Sequence, residues 1–392
     1  MVSALTRMLG PSHLDVAEEV VQEALLRALQ RWPHAGVPAH PEGWLYTVAR
    51  NLALDRARRT ASLATKLDAL AMDLPETGPL ADPAVDDELA MVFMCCHPAL
   101  PVEARIALCL KTVGGFSVEE IATLFLLKPA TIAQRLVRAK RILRDRKVVF
   151  ELPSEEELPE RLETVLQAIY LLFTEGYGAR GGVTIRRDLA EEALRLVSLL
   201  AADPATGRPE THALAALLHL QASRLSARTD EDGALLLLGG QDRSRWDRHR
   251  MAQGFRHLEW ASEGSRITTW HLEAAIAAAH AASPDVDATD WRGILDLYDQ
   301  LLVLSPSPVV ALNRVVALAE VAGPEVALRA LETIETPGLR TWPLRAATRA
   351  TLLERLDRRD EARDAWEEAR QAVRTDAERE WIESRNRRRR GG

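Results

Sequence analysis

Residues Phe116–Arg144, FSVEEIATLFLLKPATIAQRLVRAKRILR, constrain this chain more than any other stretch. The spacing predicts two short helices with a tight connection. The first runs over 118–125, with Ser117 as its N-cap and Glu119 and Glu120 in the first turn, where carboxylates suit the positive end of the helix dipole. The second opens on Pro129 and runs to about Arg146. Ile132, Leu136, Ala139 and Leu143 line one face at spacings of four, three and four, while Thr131, Gln134, Arg135, Arg138 and Arg141 fall on the others. Between Lys128 and Lys147 there are eight Lys/Arg and one Asp. A basic helix alone is usually a solvated face. A shorter capped helix before it and small polar residues near its start make it a helix-turn-helix whose second helix enters a major groove.

Charge then divides the chain. Residues 1–150 carry 18 Lys/Arg and 17 Asp/Glu, residues 151–392 carry 32 and 40, so DNA contact is expected only in the first part. With 47% apolar and 27% charged residues and few aromatics, the composition is globular and predicts an all-α fold of two or three domains. Cys95, Cys96 and Cys109 are an odd, clustered set that suits a reducing cytoplasm and no disulfide framework. No apolar run reaches membrane-spanning length and no signal peptide is evident, so no membrane partner is expected.

Periodicity predicts a helix over Leu14–Trp32, with Ala17, Val20, Val21, Ala24, Leu25, Ala28 and Trp32 inward and Glu18, Glu19, Gln22, Glu23 and Arg27 outward. A second helix is predicted over 42–59, with Leu45, Val48, Ala49, Leu52 and Ala53 inward. Residues 60–84, which include PETGPLADPA, read as a linker. Four helices then fit 86–97, 101–113, 117–125 and 129–146. Beyond Glu151 helix follows helix. Segments 290–302, 323–335 and 359–371 recur at offsets of 33 and 36 residues, a period that fits tetratricopeptide-like repeats.

On these residues the first 150 positions resemble a bacterial RNA polymerase sigma factor of the sigma-70 family, extracytoplasmic-function class. DVAEEVVQEALLRALQRW (15–32) is similar to the region-2 helix that docks on polymerase core, which implies core contacts by Glu19, Gln22 and Glu23. PEGWLYTVARNLALDRARR (41–59) is similar to the part that opens and reads the −10 element, which implies roles there for Trp44, Tyr46, Arg50, Asn51, Arg58 and Arg59. The helix-turn-helix resembles region 4, which reads the −35 element; Thr131, Gln134, Arg135, Arg138 and Arg141 would face the DNA. GQDRSRWD (240–247), TDWRGILDLYDQLL and SPSPVVALNRVVALAE resemble the subgroup with a tetratricopeptide-like extension. The expected layout is region 2 at 1–60, a linker at 61–84, region 4 at 85–150 and a helical extension at 151–392. Only thirteen residues precede Leu14, so the first helix usual in region 2 is expected to be mostly missing. Lys128–Pro129 stands where a Pro–Glu pair is usual. The resemblance implies RNA polymerase core and promoter DNA as partners, no cofactor, no metal and no catalysis.

Other motifs carry less. GYGARG (176–181) matches a dinucleotide fingerprint, but a helical pattern precedes it where a strand is required. Cys95–Cys96–His97 lacks the spacing of a zinc site, and buried thiols are expected. His271 and His280, nine apart, suit packing or capping. Asp242, Arg243, Arg245, Trp246 and Asp247 form a charged cluster, read either as a lock on a loop or as a ligand or partner site, the partner being a cytoplasmic protein. The rival readings are a stand-alone helix-turn-helix regulator with a repeat-type sensor, and an enzyme in the later helices. Against the second, no nucleophile–base pair or phosphate loop is present.

Overall fold

The computed structural model describes residues 1–59, 85–125, 127–177, 186–229, 236, 238–334 and 343–372. The expected linker at 60–84 and the arginine-rich end at 387–390 lie outside them. Among the described residues the structure is helical, with no β-strand. Contacts divide it into two units, Met1–Leu171 and Leu172–Gly392.

The first unit opens with α1 (Val2–Leu9), α2 (Leu14–Ala35) and α3 (Pro41–Arg59). The residues before Leu14 therefore do form a helix, contrary to expectation. Leu5 and Leu9 bury against Ala17, Val20, Val21, Ala24, Ala28, Leu45, Ala49 and Ala53. α2 also runs past Trp32 through Pro33 and ends at Gly36, whose φ of 79° suits a residue without Cβ. Leu25, expected inward, is 44% exposed. It sits one residue beyond Ala24, about 100° round the helix, outside the arc that α1 and α3 cover.

α4 (Val85–Cys95) is buried all round from Leu89 to Cys95, as suits a helix apolar on every face. α5 (Val102–Thr112), α6 (Val118–Leu124) and α7 (Pro129–Asp145) follow. The three cysteines are buried free thiols, and burial pushes the Cys95 thiol well above its usual range. α8 (Leu158–Tyr177) begins in the first unit, where the Arg161 guanidinium donates to the Phe93 carbonyl at 2.9 Å. The division thus falls within α8, some twenty residues past the expected boundary at 150.

In the second unit α10 (Pro209–Ala222) is buried along most of its length and packs against α9 (Arg187–Ala202), α11 (Arg248–Ala261) and α12 (Thr269–Ala282). Gly176 explains part of GYGARG. A Cβ there would stand 2.7 Å from the Ala190 nitrogen, so glycine lets α8 approach the start of α9, while residues 178–181 lie outside the described set. The predicted recurring segments land on α13 (Trp291–Leu304), α15 (Pro324–Glu332) and α17 (Arg359–Gln371), interleaved with α14 (Pro308–Ala322) and α16 (Pro343–Arg355). α14 to α17 share one core that includes Leu312, Leu328, Leu353 and Trp366.

Candidate nucleic-acid interface

α6 is fixed by a reciprocal cap. The Ser117 hydroxyl accepts from the Glu120 amide at 3.1 Å, and the Glu120 carboxylate accepts from the Ser117 amide at 2.7 Å. Phe125 ends the helix, and α7 begins with Pro129 at its first position, where the missing N–H costs nothing. Lys128, the N-cap, makes no side-chain cap. Ile132, Leu136, Ala139 and Leu143 are buried at the predicted spacing, which fixes the rotation of α7 and hence what it shows to solvent.

The outward face carries Thr131, Gln134, Arg138 and Arg141, all exposed. Val137, 67% exposed, lies between Gln134 and Arg141 on the same stripe. It was not among the expected contacts, although spacings of three and four from its neighbours place it there. Arg135 departs from expectation. It is half-buried at the flank, its guanidinium 5.2 Å from the Phe125 ring centre, and its buried Nη1 has no hydrogen-bond partner. Lys140 occupies the opposite flank. Its ammonium reaches Asp15 at 2.5 Å and Glu18 at 2.6 Å on α2, and Glu18 also accepts from the Thr112 hydroxyl at 3.0 Å. Of two cations flanking the buried stripe, one covers an aromatic ring and the other ties α7 to α2.

The expected −10 residues divide between two faces of α3. Trp44 and Asn51 share one face; Trp44 is half-buried and tilts against Trp32 at 5.6 Å, while Asn51 is exposed. Tyr46 and Arg50, four apart, share another and are both half-buried. Burial pushes the Tyr46 hydroxyl above its usual range, against the pull of Arg50. The Arg50 Nε is buried without a hydrogen-bond partner. The Arg58 and Arg59 side chains lie outside the described residues.

On α2, Glu19 and Glu23 are already engaged. Arg56 of α3 binds Glu19 at 2.6 Å and Glu23 at 3.3 Å, and Arg27 binds Glu23 at 2.6 Å. Gln22 is exposed, and from it runs an apolar stripe of Leu25, Leu26 and Leu29, with 44%, 58% and 72% exposure. Positions i, i+3, i+4 and i+7 make this one face. The expected carboxylates therefore hold α3 to α2, and of the exposed leucines beside them Leu25 reads as core by periodicity while Leu26 and Leu29 are given no role by it.

The charged cluster of the second unit is mainly a lock. Arg243 donates to the carbonyls of His280 at 2.8 Å and Ser283 at 2.6 Å, which caps the end of α12, and reaches the Thr289 hydroxyl. Trp246 is 4% exposed, so it adds almost no area to a protein-partner surface. Asp242, Arg245 and Asp247 are exposed. Asp242 accepts from the Ser244 amide and hydroxyl, which hold its carboxyl below the usual range, Asp247 caps α11, and Arg245 donates to the Ser226 carbonyl at 2.6 Å. His271 caps α12 through Thr268, and His280 packs edge-on to Trp291. No group of three or more His, Cys, Asp or Glu suited to a metal ion occurs among the described residues. No described helix is long and apolar enough to cross a membrane.

Comparison with known proteins bears on both units. The family profile for sigma-70 region 2 matches residues 1–62 and that for sigma-70 region 4 matches 90–143. A family of unknown function, DUF6596, matches 161–262. The uncharacterized protein R00370 of Rhizobium meliloti is 40% identical over 383 residues, 94% of this chain and 90% of its own. The ECF RNA polymerase sigma factor SigE of Mycolicibacterium smegmatis is 31% identical, covering 36% of this chain and 54% of its own. The ECF RNA polymerase sigma factor SigL of Mycobacterium tuberculosis is 34% identical over 131 residues, 33% of this chain and 72% of its own. No solved structure matches. The helix-turn-helix with its exposed cationic face, the paired helices before it and these relatives agree: the chain belongs to the extracytoplasmic-function sigma factors of the sigma-70 family, and carries a helical extension.

Proposed function

We propose that this sigma factor binds RNA polymerase core through the exposed face of α2 and directs it to a promoter, with α7 reading the −35 element and α3 engaging the −10 element. The observation that carries the reading is the stripe Thr131–Gln134–Val137–Arg138–Arg141. It offers hydrogen-bond donors and acceptors for base edges, an apolar contact for a thymine methyl and guanidinium groups for guanine edges or phosphates. Arg135 supports α7 through Phe125 and reaches DNA only by leaving that ring. On α2, Gln22, Leu25, Leu26 and Leu29 form the docking face; Glu19 and Glu23 shape it by holding Arg56. A stand-alone DNA-binding regulator has no use for so large an exposed apolar stripe.

In-vitro transcription with purified core polymerase tests this. The full chain is expected to start transcripts from its cognate promoter, and core alone is not. Tight, sequence-specific duplex binding without core, and no transcripts with it, would replace the reading by that of a stand-alone regulator. The extension is proposed to tune promoter output through a cytoplasmic protein partner, with Asp242, Arg245 and Asp247 as the exposed part of its surface.

A further inference from the structure

Residues 151–392 hold more acids than bases, yet three arginines in the second unit converge on two aromatic rings without a carboxylate at ion-pair distance among the described residues. Arg228 lies 3.7 Å from the Tyr177 ring centre, Arg224 is 5.9 Å from both Tyr177 and Trp246, and Arg243 is 5.2 Å from Trp246. Arg243 is consumed by the cap on α12. The other two are only partly used. Arg224 donates through one Nη to the Tyr177 hydroxyl at 2.6 Å and to Gln221 at 3.1 Å; Arg228 donates through one Nη to the Tyr177 carbonyl at 2.5 Å. Their remaining N–H groups have no acceptor among the described residues. Nor has the Nε1–H of Trp246, which is almost wholly buried.

The unmatched groups of Arg224, Arg228 and Trp246 are donors, and the carboxylate that acts on this knot, Asp285, acts on Arg243 from beyond ion-pair distance. Burial lowers the Arg228 pKa; Tyr177 opposes that and the nearby Arg224 adds to it, so the two guanidinium groups stand close enough to repel. Half-buried cations without a counter-charge are costly, and buried donors are rarely left unmade. What is missing is an acceptor with negative charge. Guanidinium forks suit the paired oxygens of a phosphate or carboxylate, and an indole N–H can supply a third contact.

We propose that Arg224, Arg228 and the Trp246 indole N–H form a binding site for an oxyanion, the phosphate or carboxylate group of a small molecule. All three residues fall within 161–262, the part that matches the family of unknown function. The site is independent of the promoter reading.

The indole N–H of Trp246 reports on the site directly. In the full chain with ¹⁵N-labelled tryptophan, Trp246→Phe identifies the signal, and sodium phosphate and citrate are titrated against sodium chloride at equal ionic strength. A saturable shift with phosphate, citrate or both, absent with chloride, is expected, and the responding anion names the group. Arg224→Gln should weaken it at least about tenfold, and Arg224→Lys, which keeps the charge but not the fork, less so. A signal that follows ionic strength alone, or responds unchanged in both Arg224 variants, overturns the proposal. So does a shift that appears only after Asp230→Asn, Glu231→Gln and Asp232→Asn are combined, since the site would then serve the chain's own carboxylates.

Discussion

Lys140→Met removes the cation that ties α7 to α2. The Lys140 side chain is 15% exposed and that of Glu18 is 12%, so neither charge is well solvated, whereas Asp15, 57% exposed, rehydrates easily. Breaking a fully buried pair costs about 3–5 kcal/mol and a surface pair about 0–1 kcal/mol. Glu18 keeps one donor, the Thr112 hydroxyl, so a loss of about 2 kcal/mol is expected. Hydrogen exchange read by mass spectrometry on α2 and α7 peptides should then speed up about 30-fold. Glu18→Gln added to Lys140→Met removes the stranded charge and should restore most of the protection. Less than about threefold acceleration by the single change, or a double variant no better than the single, would refute the reasoning. The pH dependence has a definite sign. Burial alone would lower the lysine pKa, but Glu18 and Asp15 outweigh it and the pKa is raised above 10.5. The lysine's contribution is therefore fully present below pH 10.5 and is lost as pH climbs through the folded value.

Three further outcomes are expected. Leu26→Glu with Leu29→Glu should abolish co-purification with core polymerase while leaving thermal stability nearly unchanged, because both side chains already face water; wild-type recovery of core would discard the docking face. Arg138→Ala should cost about 1–3 kcal/mol in promoter affinity if it contacts a base, by gel shift against scrambled −35 DNA, whereas Arg135→Ala should mainly lower stability; equal losses of specificity from both would show that Arg135 leaves Phe125 on binding. In the second unit, burial holds His219 and His257 down to about 4, with His212, His249, Arg250 and Arg256 adding repulsion. An unfolded chain takes up those protons near pH 6.5, so stability should be full above that pH and fall towards pH 4, by up to about 3 kcal/mol for the nearly buried His219. Urea unfolding of wild type and His219→Gln across that range checks it, and parallel curves would remove His219 as the cause.

Local order was legible without coordinates because its causes are local. Ser117 and Glu120 cap α6 by reaching three residues along the chain, Pro129 can only start a helix, and the spacing of Ile132, Leu136, Ala139 and Leu143 sets which side of α7 is dry. The recurring segments at 290, 323 and 359 announced α13, α15 and α17 in the same way. Partners distant in sequence carry no such signal. Glu19 and Glu23 read as free carboxylates until Arg56, more than thirty residues away, is folded against them; Lys140 reads as one more groove cation until α2 brings Asp15 and Glu18 to it. Periodicity also tells apolar from polar but not covered from uncovered. Leu25 looks like core until α1 and α3 are seen to cover only the alanine side of α2, which leaves Leu26 and Leu29 open beside it, and Trp246 looks like surface until α12 closes over it. Chain chemistry sets each helix and its dry face within a few residues, while which charge is neutralised and which apolar face stays open depends on what the fold places opposite.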